Sequence, residues 1–151
     1  CRPYILIYAK GTGEPGAFGI SVGPMLRTAL AANLRLDVRG VNYDASLAAD
    51  FCFALPGGKV AQGDLEKAAS QCPDAKFILS GYSQGGMVAR LAVANTTPAI
   101  KARVVGVLTF GDPFNGSTIK GYTGPIQVFC APTDGVCGGN FNIGAAHRKF
   151  T

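Results

Sequence analysis

The chain has 151 residues, 48% of them hydrophobic and only 15% charged, with a formal net charge of +5. That length suits one domain with one core, burying roughly two thirds of the extended-chain surface, and the apolar share excludes an intrinsically disordered chain. Its apolar runs are too short and too often broken by Gly or polar residues to span a bilayer. The basic residues are dispersed, with Arg148-Lys149 the one adjacent pair, and form no stripe with interleaved aromatics, which argues against a nucleic-acid partner.

The chain opens on Cys1 and enters an apolar run almost at once, which reads as a mature or trimmed N-terminus. Tyr4 to Ala9 is the first predicted strand. It runs into Gly11-Thr12-Gly13-Glu14-Pro15-Gly16, which spells the G-x-G-x-x-G of a dinucleotide-binding turn. Pro15 inside that turn and Phe18-Gly19, where a helix should already be running, weaken the nucleotide reading. The alternative use of such glycines is to let backbone approach a developing negative charge.

Val22, Leu26 and Leu30 recur every four residues and predict a first helix. A second strand is expected over Leu34 to Val41, then a helix with Ala61, Leu65, Ala68, Ala69 and Cys72 on one face. Lys76 to Tyr82 gives the third strand. Met87, Val88, Leu91 and Ala92 mark a third helix ending near Asn95 to Pro98, because Pro98 cannot continue it. Arg103 to Phe110 and Ile126 to Cys130 complete five strands whose near-continuous apolar character suits burial on both faces of a mainly parallel sheet. Strand and helix alternate, so the expected fold is a three-layer α/β/α sandwich with right-handed crossovers. Loops at the carboxyl ends of the strands should hold any site.

Between the third strand and the third helix stands Gly81-Tyr82-Ser83-Gln84-Gly85. In a chain with 21 glycines a G-x-S-x-G match is weak alone. Its strand-to-helix setting is the one a nucleophile elbow requires. The plainer alternative is a glycine-rich turn with Ser83 as a helix cap. A serine hydroxyl is a poor nucleophile until a base takes its proton, and the chain has one histidine, His147.

After the last strand comes Cys130-Ala131-Pro132-Thr133-Asp134-Gly135-Val136-Cys137, with His147 thirteen positions beyond Asp134. Ser, Asp, His is the order expected of a triad on this fold. A Cys130–Cys137 bridge would close a tight loop around Asp134. Read plainly, Asp134-Gly135 is an ordinary turn and His147 a surface residue, while the cysteines do not match the C-x2-4-C spacing usual for zinc. No metal or organic cofactor is expected. Five cysteines suggest an oxidising, extracellular location and leave at least one thiol unpaired. Asn95-Thr96-Thr97 and Asn115-Gly116-Ser117 are potential glycosylation sequons.

These residues resemble the cutinase family of small secreted serine esterases, with the α/β-hydrolase fold, from Cys1 to about His147. The resemblance rests on Gly81 to Gly85, the Cys-x3-Asp-x2-Cys segment and its interval to His147, Cys72-Pro73-Asp74-Ala75, and Tyr8 to Glu14. It implies Ser83 as nucleophile, His147 as general base and then acid, and Asp134 as the group that fixes the imidazole. It also implies an oxyanion hole from the backbone N–H groups of Thr12 and Gln84, and disulfides Cys1–Cys72 and Cys130–Cys137 with Cys52 left over. The implied substrate rim lies on Tyr43 to Phe51, with Leu47 nearest the site, and on Gly138 to Ala146, with Phe141 and Ile143.

The expected reaction is hydrolysis of cutin or related short-to-medium-chain esters through an acyl-enzyme, falling in acid because His147 must be neutral to act as base. The runner-up is an acetylxylan-type or other short-chain carboxylesterase. A rival of another class is a secreted binding protein or effector that keeps the fold but turns over poorly.

Two departures stand out. Lys10 occupies a position where many members carry arginine, which loosens a supporting ion pair. The sequence stops four residues after His147, at Thr151, where members usually continue into a final helix over one sheet face. A trimmed chain and an unusually short member are both open, and either leaves a monomer with an uncovered apolar strip unless another chain pairs there.

Overall fold

The computed structural model describes residues 1–46, 48, 52, 54–115, 117–131, 134–138 and 147. Five strands, β1 (Tyr4–Ala9), β2 (Leu36–Gly40), β3 (Lys76–Tyr82), β4 (Val104–Phe110) and β5 (Ile126–Phe129), form one sheet in the order β2-β1-β3-β4-β5. Every neighbouring pair is parallel. Among the described residues run helices α1 (Gly23–Ala31), α2 (Leu55–Gln71), α3 (Gln84–Asn95) and the short α4 (Pro98–Lys101), and a 3-10 turn spans Gly135–Gly138. Each predicted strand is present within two residues of its expected ends.

Alternation along β1 explains the layers. Ile5 and Ile7 face one side, where they join Phe77, Leu79 and Val107 against Leu65, Ala68, Met87 and Val88 of α2 and α3. Leu6 and Tyr8 face the other, where they join Ile78, Tyr82 and Phe110 against Val22 and Leu26 at the start of α1. Apolar side chains on both faces are what a parallel sheet needs, since helical crossovers cover both. The α1 side is thinner at β5: Phe129 stacks on Phe110, ring centroids 4.8 Å apart, and keeps 41% of its surface in water.

The glycine turn after β1 does not open a helix. Residues 11–22 form a run of turns, and α1 begins only at Gly23. This removes the geometry in which a dinucleotide pyrophosphate sits on a helix N-terminus directly after the first strand.

The strand order decides where a ligand can bind. The chain leaves β1 toward β2, then recrosses to β3 on the other side of β1, so the connections diverge between β1 and β3. A crevice opens outside the carboxyl ends of strands at such a switch. Ala9 pairs with Gly81 there, which brings Thr12 and Ser83 to the same end of the sheet.

Two disulfides brace the described chain, Cys1–Cys72 and Cys130–Cys137, while Cys52 is a free, exposed thiol. The first ties the strand-leading N-terminus to the end of α2. The second closes the loop that carries Asp134.

Candidate active site

β3 ends at Tyr82 and α3 begins at Gln84, so a single residue must turn the chain from the sheet into the helix. Ser83 does so at φ 56° and ψ −116°. With Ala54, it is one of two non-glycine residues at positive φ among those described. Such a backbone costs on the order of 1–3 kcal/mol and persists only where its surroundings fix it. Here Ser83 N–H donates to Phe110 O at 2.8 Å and Gly86 N–H to Ser83 O at 2.9 Å.

The flanking glycines are steric necessities. A Cβ on Gly81 would collide with the backbone of Gly85, and a Cβ on Gly85 with the carbonyls of Ala9 and Lys10. The helix-cap alternative for Ser83 lacks its defining contact, because the side chain makes no capping hydrogen bond to α3. Ser83 instead lines a cleft of about 320 Å³ shared with Thr12, Gly13, Glu14, Pro15, Ile20, Ser21, Tyr82 and His147.

His147 stands against one side of this cleft with only 1% of its surface exposed. Its Nδ1 lies 2.8 Å from Asp134 Oδ2, and Asp134 Oδ1 accepts the Val136 N–H at 3.0 Å. An ionised carboxylate can only accept, so the shared proton belongs on Nδ1 and Nε2 is left as the basic nitrogen. His147 Nε2 is buried with no hydrogen-bond partner among the described residues. The Cys130–Cys137 bridge spans the Asp134 turn, and Asp134 N–H donates to Ala131 O at 3.0 Å.

Two further residues hold the imidazole. The Tyr82 ring stacks on it at 5.1 Å between centroids and 25° between planes, and the Tyr82 hydroxyl donates to His147 O at 3.2 Å. On another side Gly111, at φ +58°, leaves room for the ring: a Cβ there would lie 2.6 Å from Nδ1. Neither role follows from the sequence pattern. Tyr82 lay inside the motif with no periodic signal of its own, and Gly111 offered only a glycine at the carboxyl end of a strand.

The β1 loop forms the opposite wall. Gln84 Nε2 donates to Ser46 O at 2.8 Å and lies 3.5 Å from Thr12 Oγ1, which joins the first residue of α3 to the loop carrying Thr12. The positive end of the α3 dipole therefore lies beside Ser83. Tyr43 OH donates to Lys10 O at 2.5 Å, and Gly13 N–H to Ala45 O at 2.7 Å. Lys10 itself donates to Gly16 O. The nearby Glu14 carboxylate accepts backbone N–H groups of Gly11, Ile20 and Ser21, so a backbone-directed clasp secures the loop.

Ser83, His147 and Thr12 thus share a cleft, with Asp134 behind His147 and Gln84 at the head of α3. Leu47, Phe141 and Ile143, the expected substrate rim, lie outside the described residues. No three His, Cys, Asp or Glu side chains gather as a metal site among the described residues.

Comparison with known proteins gives a consistent family. A family model described as Cutinase matches residues 1–151. A cutinase of Coprinopsis cinerea is 35% identical over 154 residues, covering 99% of this chain and 77% of that protein. One from Pyricularia oryzae is 38% identical over 163 residues, covering 99% of this chain and 75% of its own length. The solved structure of a Trichoderma reesei cutinase in complex with a phosphonate inhibitor superposes with a TM-score of 0.92 at 30% identity, over 98% of this chain and 69% of that one. An acetylxylan esterase structure shares the fold, with a TM-score of 0.78 at 21% identity over 98% of this chain and 90% of that chain.

Proposed function

The chain belongs to the cutinase family of serine carboxylic ester hydrolases, and from that premise we propose that it cleaves cutin polyester or related short-to-medium-chain esters through an acyl-enzyme on Ser83. The observation that carries this reading is the buried His147–Asp134 pair at 2.8 Å, in which Nδ1 is committed to the carboxylate and Nε2 is left without a partner among the described residues.

In this mechanism Ser83 Oγ attacks the ester carbonyl carbon while His147 Nε2 takes the hydroxyl proton. The imidazolium is stabilised by the Asp134 carboxylate. Negative charge on the carbonyl oxygen is met by the backbone N–H groups of Thr12 and Gln84, donors of a kind whose single removal typically costs about 3–4 kcal/mol in the transition state. Collapse of the tetrahedral intermediate breaks the bond to the alcohol oxygen, which receives the proton from His147. Water, deprotonated by the same nitrogen, then attacks the acyl-enzyme and releases the acid and a neutral Ser83. No step calls for a metal or organic cofactor.

The chain is read as a single-domain monomer that acts outside the cell. Its two disulfides and its resemblance to secreted esterases support that location. Leu47, Phe141 and Ile143 are assigned to the substrate rim on the same resemblance.

The test is hydrolysis of p-nitrophenyl acetate, p-nitrophenyl butyrate, acetylated xylan and cutin by the wild type beside Ser83→Ala. Butyrate turnover exceeding acetate, with release of cutin monomers and loss of both activities in Ser83→Ala, is expected. Acetate preference with release from xylan alone would assign a short-chain carboxylesterase instead. Absence of turnover by folded protein would favour a binding role.

A further inference from the structure

The loop between β1 and α1 is stapled from within by one side chain. Glu14 Oε2 accepts the Gly11 N–H at 2.7 Å, and Oε1 accepts those of Ile20 and Ser21 at 3.1 and 2.9 Å. A carboxylate offers two oxygens with room for several donors, and bonds to a charged acceptor are stronger than neutral ones. The clasp therefore fixes the backbone on both flanks of the loop, and one of the residues it fixes is Ile20.

Ile20 is 75% exposed, the most exposed large hydrophobic side chain among the described residues. Isolated exposed hydrophobics are common on protein surfaces and ordinarily call for no explanation. Ile20 differs by position, since it lines the cleft that contains Ser83 and His147, as Pro15 also does. Its branched side chain is stiff at χ1, and its backbone is held by a carboxylate, so ordering it against a ligand costs little entropy.

The chemistry of the cleft leaves one substituent of the substrate to this wall. In the proposed mechanism the carbonyl oxygen faces Thr12 and Gln84 and the alkoxy oxygen faces His147. What remains is the acyl chain, and Pro15 and Ile20 are the aliphatic side chains among the described lining. We propose that Ile20, with Pro15, forms an aliphatic shelf that contacts the acyl chain of the ester and sets the acyl-length preference. This inference rests on the esterase reading above.

The experiment measures kcat/KM on monodisperse p-nitrophenyl acetate, butyrate and octanoate, which share one leaving group, for the wild type, Ile20→Ser, Ile20→Leu and Ser83→Ala. Removing the aliphatic shelf should lower the octanoate-to-acetate ratio of kcat/KM about fivefold or more in Ile20→Ser, and Ile20→Leu should restore it to within about twofold. Ile20 is exposed, so thermal unfolding should show both Ile20 variants folded. A ratio unchanged in Ile20→Ser, or lowered equally in Ile20→Leu, overturns the shelf while leaving the esterase reading intact. A wild type inactive on all three esters, or an active Ser83→Ala, overturns the esterase reading and the shelf with it.

Discussion

The imidazole of His147 is confined on three sides by groups with different chemistry: the Asp134 carboxylate on Nδ1, the Tyr82 ring on one face, and the bare Cα of Gly111 close to the ring edge. Each contact can be removed separately. Gly111→Ala places a methyl group against Nδ1 and forces an L-residue to positive φ, at a backbone cost of about 1–2 kcal/mol. Because a displacement near 1 Å can cost about a hundredfold in rate, kcat should fall by about that factor, with a lower melting temperature, as steady-state kinetics and thermal unfolding would show. Tyr82→Phe keeps the stacked ring and loses only the hydroxyl bond to His147 O. Such a bond is worth about 1 kcal/mol, so kcat should fall up to about fivefold with KM unchanged. Turnover equal to wild type would show that stacking alone positions the ring. The meeting of Asp134 with His147 beside Ser83 was legible because one histidine and one G-x-S-x-G motif leave few combinations. Tyr82 and Gly111 were not, because their roles arise where residues 65 and 36 positions from His147 meet in space.

At the scale of elements, the strands were read with little error because a strand buried on both faces is an unbroken apolar run. Helix starts were harder. The pattern of α2 begins at Ala61, yet the helix starts at Leu55, through Pro56, Gly57 and Gly58. Proline is tolerated in a first turn, and burial of both glycines shows that tertiary packing overrides their poor helix propensity. Pro98, read as the stop of α3, also begins α4, whose Thr97 cap accepts the Ile100 N–H at 3.3 Å. The Cys130–Cys137 clip closes the turn that carries Asp134, the partner of His147. Cys130→Ser with Cys137→Ser should lose about 2.5 kcal/mol by the chain-entropy model. It should also lower kcat at temperatures well below unfolding, because the Asp134 turn is no longer closed. If kcat of the folded variant matches the wild type, the clip acts on stability alone.

Over the whole molecule the two disulfides lie at opposite ends of the parallel strands, Cys1–Cys72 ahead of β1 and β3 and Cys130–Cys137 after β5. Cys1–Cys72 spans 71 positions and joins the start of β1 to the end of α2, at the amino ends of the strands whose carboxyl ends lead into the cleft. Its long loop should contribute about 4 kcal/mol, against the 5–15 kcal/mol of a typical domain. Replacing both cysteines by serine should lower the melting temperature by about 10–15 °C in calorimetry, and kcat at 25 °C should remain close to wild type. A large loss of kcat in that folded variant would mean that the N-terminal tie reaches the site. Topology explains why the site was legible at this scale: strands alternating with helices imply a parallel sheet, and the β1–β3 switch then brings Thr12 and Ser83 together. The loops around the site were less legible, since residues 11–22 take their shape from Glu14 and Lys10 rather than from any periodic pattern.

The proposed role of Ser83 as the acylated nucleophile is tested most directly by intact-mass and peptide mapping of the protein after treatment with an aryl phosphonate. One adduct per chain is expected, located on Ser83, absent from Ser83→Ala and formed far more slowly by His147→Ala. An adduct on another residue, or none on folded wild-type protein, would contradict it.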